Sequence, residues 1–322
     1  MHKLFFLLII LCSFAGEAIA QRKPESYPSR PVRLIVPFPP GGGTDIMARG
    51  FAQKFAESAG QIIVVDNRAG GGGTIGAETA VRAVPDGYTL CMVSTSYATN
   101  AALFKLPYDA VRDITPIVLI GDAGVLLTLH PSVAARNVKE LIALAKAKPG
   151  ALNFASTGTG GNTHLITELL IMMAGIQMTH VPYKGTGAAL SDLLSGQVQL
   201  IMGTLGVMLP HVKTGRLRGI AVTNANRSKA LPDIPTIAET LPGFEATLWY
   251  GLWGPKGLPA EVVTPWNREI RKAAQSPEIK ERFITEGIEA ADGPPELFRE
   301  VVQRDVAKWV KVVKAANIRQ VQ

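Results

Sequence analysis

The chain has 322 residues, a formal net charge of +7 and 47% hydrophobic residues, and this length is enough for two ordinary domains. Its lysines and arginines are scattered, and no nucleic-acid-binding module is evident, so the composition argues against a nucleic-acid-binding protein. A diffuse positive charge instead suits the attraction of small anions.

Residues 1–20 have the pattern of a signal peptide that is removed on export. A positively charged start is followed by an apolar run that ends at Leu11, and a small-residue cleavage site ends at Ala20. The apolar run is too short to span a bilayer, so a retained anchor is the less favoured alternative. The predicted mature chain is exported and keeps Cys91 as its single cysteine, which excludes an intrachain disulfide.

After this leader, apolar runs of strand and helix length alternate, which predicts an α/β fold with a largely parallel sheet. We predict strands at residues 32–36, 62–65, 89–93, 125–129, 152–155, 178–181, 198–202 and 219–222. We predict helices at about residues 44–59, 137–148, 163–174, 188–195, 259–275, 277–286 and 295–316. Thr44 is expected to cap the first helix and Gly60 to end it. The core-facing stripe of that helix should be Met47, Phe51 and Phe55.

The first predicted strand runs into a glycine-rich turn and a helix start, Pro39-Pro-Gly-Gly-Gly-Thr-Asp45. Successive glycines allow a ligand to approach the backbone closely. Free N–H groups at a helix N-terminus favour an anion, so we expect the amides of Gly42, Gly43 and Thr44 to bind one. Asp45 is expected to cap N–H groups rather than to touch the ligand, and a purely structural turn is the alternative.

A comparable turn lies between residues 156 and 164, where hydroxyls and glycines stand side by side. Such hydroxyls and amides can bind carboxylate oxygens without a lysine or arginine, at roughly 1.5–3 kcal/mol for each charge-assisted bond. His164 fits a structural histidine better than a general base. Two anion-binding turns far apart in the sequence predict two lobes that close on one small anion.

Three further groups follow predicted strands, at the sheet edge where α/β proteins bind ligands. They are Ser94-Thr95-Ser96, Tyr183 and Gly203-Thr204. For Tyr183, a structural turn residue is an equally good interpretation. Trp249, Tyr250 and Trp253 are expected to pack in a core or hinge, with a cleft-lining role as the minor alternative.

Several enzyme classes lack their motifs in this sequence. The chain contains no G-x-S-x-G nucleophile elbow and no phosphate-binding P-loop. Its histidines lack the spacing of a metal site, and the glycine run at residues 70–76 lacks the spacing of a dinucleotide-binding fingerprint. We therefore expect no enzyme activity, no cofactor and no metal.

A series of motifs spans nearly the whole predicted mature chain, from about residue 27 to residue 319. They are residues 27–45, Val65-Asp-Asn-Arg68, Pro85-Asp-Gly-Tyr88, residues 156–165, Val181-Pro-Tyr-Lys-Gly185, Asp192-Leu-Leu-Ser-Gly-Gln197, residues 215–223, Asp233-Ile-Pro-Thr236, Leu241-Pro-Gly-Phe244 and Trp249-Tyr-Gly251. In this order they resemble the substrate-binding proteins of tripartite tricarboxylate transporters, also called Bug receptors. So many ordered motifs make a chance similarity improbable.

This resemblance implies a type II periplasmic-binding-protein fold, with two α/β domains around a hinged ligand cleft, and a carboxylate held partly by backbone amides. Together with the strand-end groups, the predicted ligand-binding residues are Phe38, Pro40, Gly41, Gly42, Gly43, Thr44, Ser94, Thr95, Ser96, Ser156, Thr157, Gly158, Asn162, Thr163, His164, Tyr183, Gly203 and Thr204. Family ligands include di- and tricarboxylates, acidic amino acids and aromatic acids. The implied partners are integral membrane transporter subunits, and we expect a monomer.

The chain is predicted to cross between the domains twice, which gives a first domain of residues 21–125 plus 226–322 and a second of residues 126–225. Three departures from the usual family sequence, at residues 69–71, at Gln199 and at Gly203-Thr204, leave the identity of the acid open. We expect a receptor that delivers a small carboxylate to a membrane transporter. A ligand-sensing input for a membrane sensor kinase is the alternative, and a periplasmic enzyme is the least favoured one.

Overall fold

The computed structural model describes residues 27–228 and 231–318, so the predicted signal peptide lies outside the described residues. The strands are β1 (Val32–Val36), β2 (Ile63–Asn67), β3 (Thr89–Ser94), β4 (Ile114–Leu129), β5 (Asn153–Ser156), β6 (Thr179–Pro182), β7 (Leu200–Thr204), β8 (Arg218–Val222), β9 (Thr247–Pro255) and β10 (Glu289–Ala290). The helices are α1 (Gly43–Ala59), α2 (Thr74–Val81), α3 (Ser96–Leu103), α4 (Val138–Ala147), α5 (Asn162–Ala174), α6 (Thr186–Ser195), α7 (Leu205–Lys213), α8 (Ala260–Ala273), α9 (Pro277–Glu286) and α10 (Pro295–Ala315). Within those ranges, no helix combines the length and the apolar composition that a membrane span needs.

The strands form one mixed sheet in the order β2-β1-β3-β9-β4-β7-β5-β6, with β8 and β10 also paired to β4. The outer groups, β2-β1-β3 and β7-β5-β6, are parallel, as the alternation of strands and helices predicts. The central strands β9 and β4 run antiparallel to their neighbours. The prediction of an α/β fold is confirmed, but the parallel arrangement does not extend to the centre of the sheet.

Strand β4 joins two halves of the sheet. Its residues 114–124 pair with β9, and its residues 125–129 pair with β7 and β8. The chain returns to the first half after β8, where Thr223 is hydrogen-bonded to Val125 in both directions, at 2.8 and 3.1 Å. These two crossings lie close to the predicted limits at residues 125 and 226, and the division into two domains remains a prediction.

The core lies on both faces of the sheet because successive residues of a strand point to opposite sides. In β1, Leu34 and Val36 pack with Phe51 of α1 on one face, whereas Ile35 belongs to the cluster on the other face. That second cluster continues from the first half into the second, and α10 packs against both α3 and α5. Cys91 in β3 is fully buried, and this burial raises the pKa of its thiol.

The first helix agrees with its prediction except at its start. Met47, Phe51 and Phe55 are all buried, and Gly60 ends the helix in the left-handed conformation with φ of 66°. The prediction that Thr44 caps the helix is wrong, because the N-cap is Gly42, without a side-chain cap.

The structure also contains elements that the sequence analysis missed. They are α3, α7, β9, β10 and the first part of β4. In β9, Trp249 and Trp253 are fully buried, as expected for core residues.

Asp305 of α10 is a fully buried carboxylate that anchors β9. It accepts hydrogen bonds from the indole N–H of Trp249 at 2.8 Å and from the ammonium group of Lys308 at 2.9 Å. Burial of an ion is costly unless the ion is paired. Removal of the Asp305 carboxylate would therefore leave the Trp249 N–H group and the Lys308 ammonium group without this acceptor.

We expect Asp305→Ala to lower the free energy of unfolding by roughly 3–5 kcal/mol, since it breaks a buried charge network. Urea denaturation followed by circular dichroism measures this change. As a matched control, Glu78→Ala removes the exposed ion pair with Arg82, 2.8 Å, and should change stability by less than about 0.5 kcal/mol. Equal effects of the two substitutions would contradict the structural role of Asp305.

Candidate functional site

The first turn connects β1 to α1 and presents unpaired amides. Gly41 has φ of +82°, a conformation that glycine adopts without steric cost, and Gly42 is the extended N-cap residue. The amides of Gly42, Gly43 and Thr44 have no acceptor among the described residues. They belong to the start of a helix, whose first N–H groups have no partner within the helix and favour an anion.

Asp45 holds this turn from inside the helix. Its carboxylate is 2% exposed and accepts hydrogen bonds from the amide of Gly41 at 2.9 Å, from Arg49 Nε at 3.0 Å and from Asn67 Nδ2 at 2.9 Å. Burial alone acts to raise its pKa, but these hydrogen bonds keep the pKa below its usual value. The carboxylate is therefore ionised and caps an N–H group, as the sequence analysis predicts.

The first turn lines a cavity with a volume of ≈ 520 Å³. The residues around it are Phe38, Pro39, Pro40, Gly41, Gly42, Gly43, Thr44, Ser94 and Ser96. All of these except Pro39 are predicted site residues. The cavity thus brings together the helix start of α1 and the end of β3.

The second turn connects β5 to α5 and is more strongly bonded within itself. Four of its amides are bound inside the turn, namely those of Thr157, Gly158, Gly160 and Gly161. The amides of Thr159, Asn162 and Thr163 have no acceptor among the described residues. The start of α5 therefore also offers unpaired N–H donors, but only those of Asn162 and Thr163 belong to predicted site residues.

The second turn lines a neighbouring cavity of ≈ 280 Å³. Its lining residues are Gly72, Ser96, Thr99, Asn100, Leu103, Phe104, Thr159, Gly160, Gly161, Asn162 and Ile318. Ser96 belongs to both cavities. The two turns thus open onto adjacent spaces that meet at the start of α3.

Several predicted site residues line neither cavity. They are Thr95, Ser156, Thr157, Gly158, Thr163, His164, Tyr183, Gly203 and Thr204. The hydroxyl of Thr95 is bonded to the backbone of β9, accepting from the amide of Trp249 at 2.7 Å. The hydroxyl of Tyr183 donates to Asp192 at 2.7 Å, and burial together with this bond raises the pKa of Tyr183 to about 12. The hydroxyls of Thr95 and Tyr183 are therefore already bonded within the protein.

A pair of stacked histidines lies beneath the second turn. His164 is 4% exposed, and its ring centroid lies 3.8 Å from that of His180. His180 Nε2 lies 2.6 Å from Ser156 Oγ. Burial and the neighbouring His164 disfavour a charge on His180 and lower its pKa to about 4. Both rings are thus part of the internal support of the turn, which agrees with the structural interpretation of His164.

Tyr250 is the residue near the site that the sequence analysis largely missed. A Cβ atom on Gly43 would lie 2.7 Å from the Tyr250 hydroxyl, so this hydroxyl packs directly behind the first turn. Burial and the nearby Glu286 raise the pKa of Tyr250. Side chains alternate between the two faces of the sheet along β9, so Tyr250 and Trp249 face opposite sides. This alternation is the signal that distinguishes Tyr250 from Trp249 in the sequence.

Gln199 lies away from both cavities, at the amino end of β7. Its side chain bonds the amide of Asn153 at 2.9 Å and the carbonyl of Gly196 at 3.1 Å. Gln199 therefore lines neither of the two cavities, and the identity of the acid stays open. Among the residues that the structure describes, no group of three or more histidines, cysteines or acidic residues could hold a metal ion.

We expect the thermal stability of the protein to fall as pH is lowered from about 6.5 to about 4 in part because of His180. Its folded pKa of about 4 lies below that of an unfolded histidine, so the unfolded state binds more protons within this window. Thermal unfolding of wild type and His180→Gln across this window measures the effect. The variant should lose less of its melting temperature than the wild type does, and identical losses would contradict the role of His180.

Comparison with known proteins identifies the family. The sequence matches TctC, described as "Tripartite tricarboxylate transporter family receptor", over residues 47–318. It is 36% identical to Protein BugT of Bordetella pertussis (strain Tohama I) over 318 residues, which cover 98% of this chain and 97% of BugT.

Solved structures agree with this match. The periplasmic binding protein BugD is 33% identical with a TM-score of 0.70, and the match covers 91% of this chain and 99% of BugD. R. palustris Rpa4515, solved with adipate, is 35% identical with a TM-score of 0.73, and the match covers 91% of this chain and 99% of that one. The chain therefore belongs to the tripartite tricarboxylate transporter receptor (TctC/Bug) family of periplasmic solute-binding proteins.

Proposed function

We propose that this protein is a periplasmic receptor that captures a small carboxylate and delivers it to a tripartite tricarboxylate-type membrane transporter, without covalent chemistry. The observation that carries the proposal is the set of unpaired amides at the start of α1, on Gly42, Gly43 and Thr44, beside a cavity of ≈ 520 Å³. Export of the chain through a cleaved signal peptide belongs to the same proposal.

The chemistry of this cavity supports a carboxylate as the ligand. No lysine or arginine lines it, so amides, hydroxyls and the helix dipole must supply the attraction for an anion. Charge-assisted bonds of roughly 1.5–3 kcal/mol each, less the cost of ordering the ligand, are compatible with micromolar binding at about −8 kcal/mol. The adipate in the Rpa4515 structure supports the same ligand class.

The positions of the two cavities support a closing motion of two lobes. One turn lies in each half of the sheet, and the halves are joined through β4 and through the crossing at Thr223. We propose that rotation about these crossings brings both turns onto one ligand, since a ligand can favour only a state in which it makes additional contacts.

We expect at least one member of a panel of mono-, di- and tricarboxylates to raise the melting temperature of the purified protein, because a ligand that binds only the folded state stabilises it. Calorimetry with that acid then gives its affinity, and small-angle scattering should show a decrease in the radius of gyration. If no carboxylate binds, the proposed ligand class is contradicted. If one binds without compaction, the proposed closure is contradicted.

We expect Gly43→Val to weaken binding of the acid selected by the panel by at least about tenfold, or about 1.4 kcal/mol. A side chain at residue 43 meets the Tyr250 hydroxyl at 2.7 Å and displaces the amides of the turn. Titration calorimetry measures the affinity, and Gln53→Val at an exposed position of the same helix is the matched control. Unchanged affinity in a folded Gly43→Val protein would count against the first turn as the binding element.

A further inference from the structure

The two turns have the same backbone geometry although their sequences differ. Gly41 and Gly160 have φ of +82° and +78°. The N-cap residues that follow them, Gly42 and Gly161, have φ and ψ of −78° and 164° in the first turn and −67° and 162° in the second. The backbone therefore has the same conformation at the start of α1 in one half of the protein and at the start of α5 in the other half.

Each turn is closed by a side chain at the same helical position. Asp45 is the third residue of α1 and accepts the amide of Gly41 at 2.9 Å. His164 is the third residue of α5, and its Nδ1 accepts the amide of Gly160 at 3.0 Å. Both bonds tie the residue before the N-cap to the first turn of the helix.

This bond orients the unpaired amides that follow it. Because the glycine amide is hydrogen-bonded to the helix side chain, the N-cap peptide is fixed. The N–H groups of the next residues are therefore held in one direction. Without the bond, the glycine N–H group loses its acceptor within the protein and the glycine regains its conformational freedom. The acceptor therefore acts on ligand binding through the backbone rather than by touching the ligand.

The two acceptors respond differently to protons. The Asp45 carboxylate is held ionised by Arg49, Gly41 and Asn67. The imidazole of His164 accepts the Gly160 amide only while Nδ1 carries no proton. Protonation of Nδ1 would place two N–H donors against each other and break the bond.

The surroundings of His164 contain few charges. On its own helix, Glu168 Oε1 lies 3.4 Å from His164 Nε2, so Nε2 is the nitrogen that carries the proton in the neutral ring. From β6, His180 stacks on the ring at 3.8 Å, and from β5, Phe154 stacks on it at 6.0 Å.

We propose that His164 is a positioning residue of the second turn, equivalent to Asp45 in the first turn, and that protonation of its Nδ1 weakens ligand binding through the second turn alone. The proposal rests on the proposed function, because it assumes that the second turn takes part in binding. It makes one half of the receptor sensitive to pH and the other half insensitive.

The state of His164 can be measured without a ligand. In a ¹⁵N-labelled protein at pH 7.5, the ring nitrogens of His164 should show a protonated Nε2 and an unprotonated Nδ1. As pH is lowered, the amide resonance of Gly160 should shift together with the protonation of His164, while that of Gly41 should not. A proton on Nδ1 at pH 7.5, or a Gly160 resonance that does not follow His164, would overturn the proposal.

Binding of adipate by wild type, His164→Leu and His164→Asn provides the second test. At pH 8, His164→Leu removes the acceptor and should weaken binding about tenfold, a loss of about 1.4 kcal/mol. His164→Asn supplies a short amide oxygen at the position where Asp45 reaches Gly41, and should recover most of the loss. Circular dichroism and the melting temperature establish that both variants fold.

The pH profile separates a positioning role from a merely structural one. Between pH 8 and pH 5, His180 with its pKa of about 4 stays neutral, and protonation of adipate affects all proteins equally. The wild type should lose affinity relative to His164→Asn as pH falls. Equal pH profiles for the two proteins would overturn the proposal. Failure of adipate to bind any of the proteins would contradict the ligand chosen, and the resonances of His164 and Gly160 would still decide the proposal.

Discussion

Helix starts with unpaired N–H groups are the constraint around which this protein is arranged. A helix leaves its first amides without partners, and such groups must reach water, a side chain or a ligand. Here the amide that precedes each N-cap is satisfied internally, by Asp45 in one half and by His164 in the other. The remaining amides lie at the carboxyl edge of the sheet, next to cavities of ≈ 520 and ≈ 280 Å³. The glycines of both turns follow from this arrangement, because the residue before each N-cap adopts positive φ.

The central strands determine how these helix starts lie relative to each other. β4 is shared by both halves, and β9 lies beside its first part, so the sheet remains continuous between the two turns. The second crossing is bonded to the first through Thr223 and Val125. Two adjacent crossings favour rotation over translation, because a sliding motion would break the hydrogen bonds that join them. Helix α10 packs against both α3 and α5, on the face of the sheet opposite to α1.

Features that depend on neighbours in the sequence could be predicted. The strand Val32–Val36, the stop at Gly60 and the stripe of Met47, Phe51 and Phe55 follow from local pattern, and all are present. The first turn follows from the glycines beside the helix start, and its cavity contains most of the residues predicted for it.

Features that depend on distant contacts could not be predicted. The long strand β4 contains Pro116, Gly121 and Gly124, which interrupt its apolar pattern, and its pairing with β9 bridges more than a hundred residues. The position of Tyr250 behind Gly43 depends on that pairing. The hydroxyls of Ser156 and Thr95 have the composition of a binding site, but in the fold their partners are His180 and the backbone of β9. Residue type alone does not distinguish these two uses of a hydroxyl group.

The buried position of Cys91 has a practical consequence. It is the only cysteine among the described residues, it is 0% exposed, and its thiol is kept in the unreactive protonated form. Among the described residues, a thiol introduced by substitution at the rim of either turn would therefore be the single exposed attachment point for a maleimide dye. This part of the chain already provides the background that a fluorescent sensor for its solute requires.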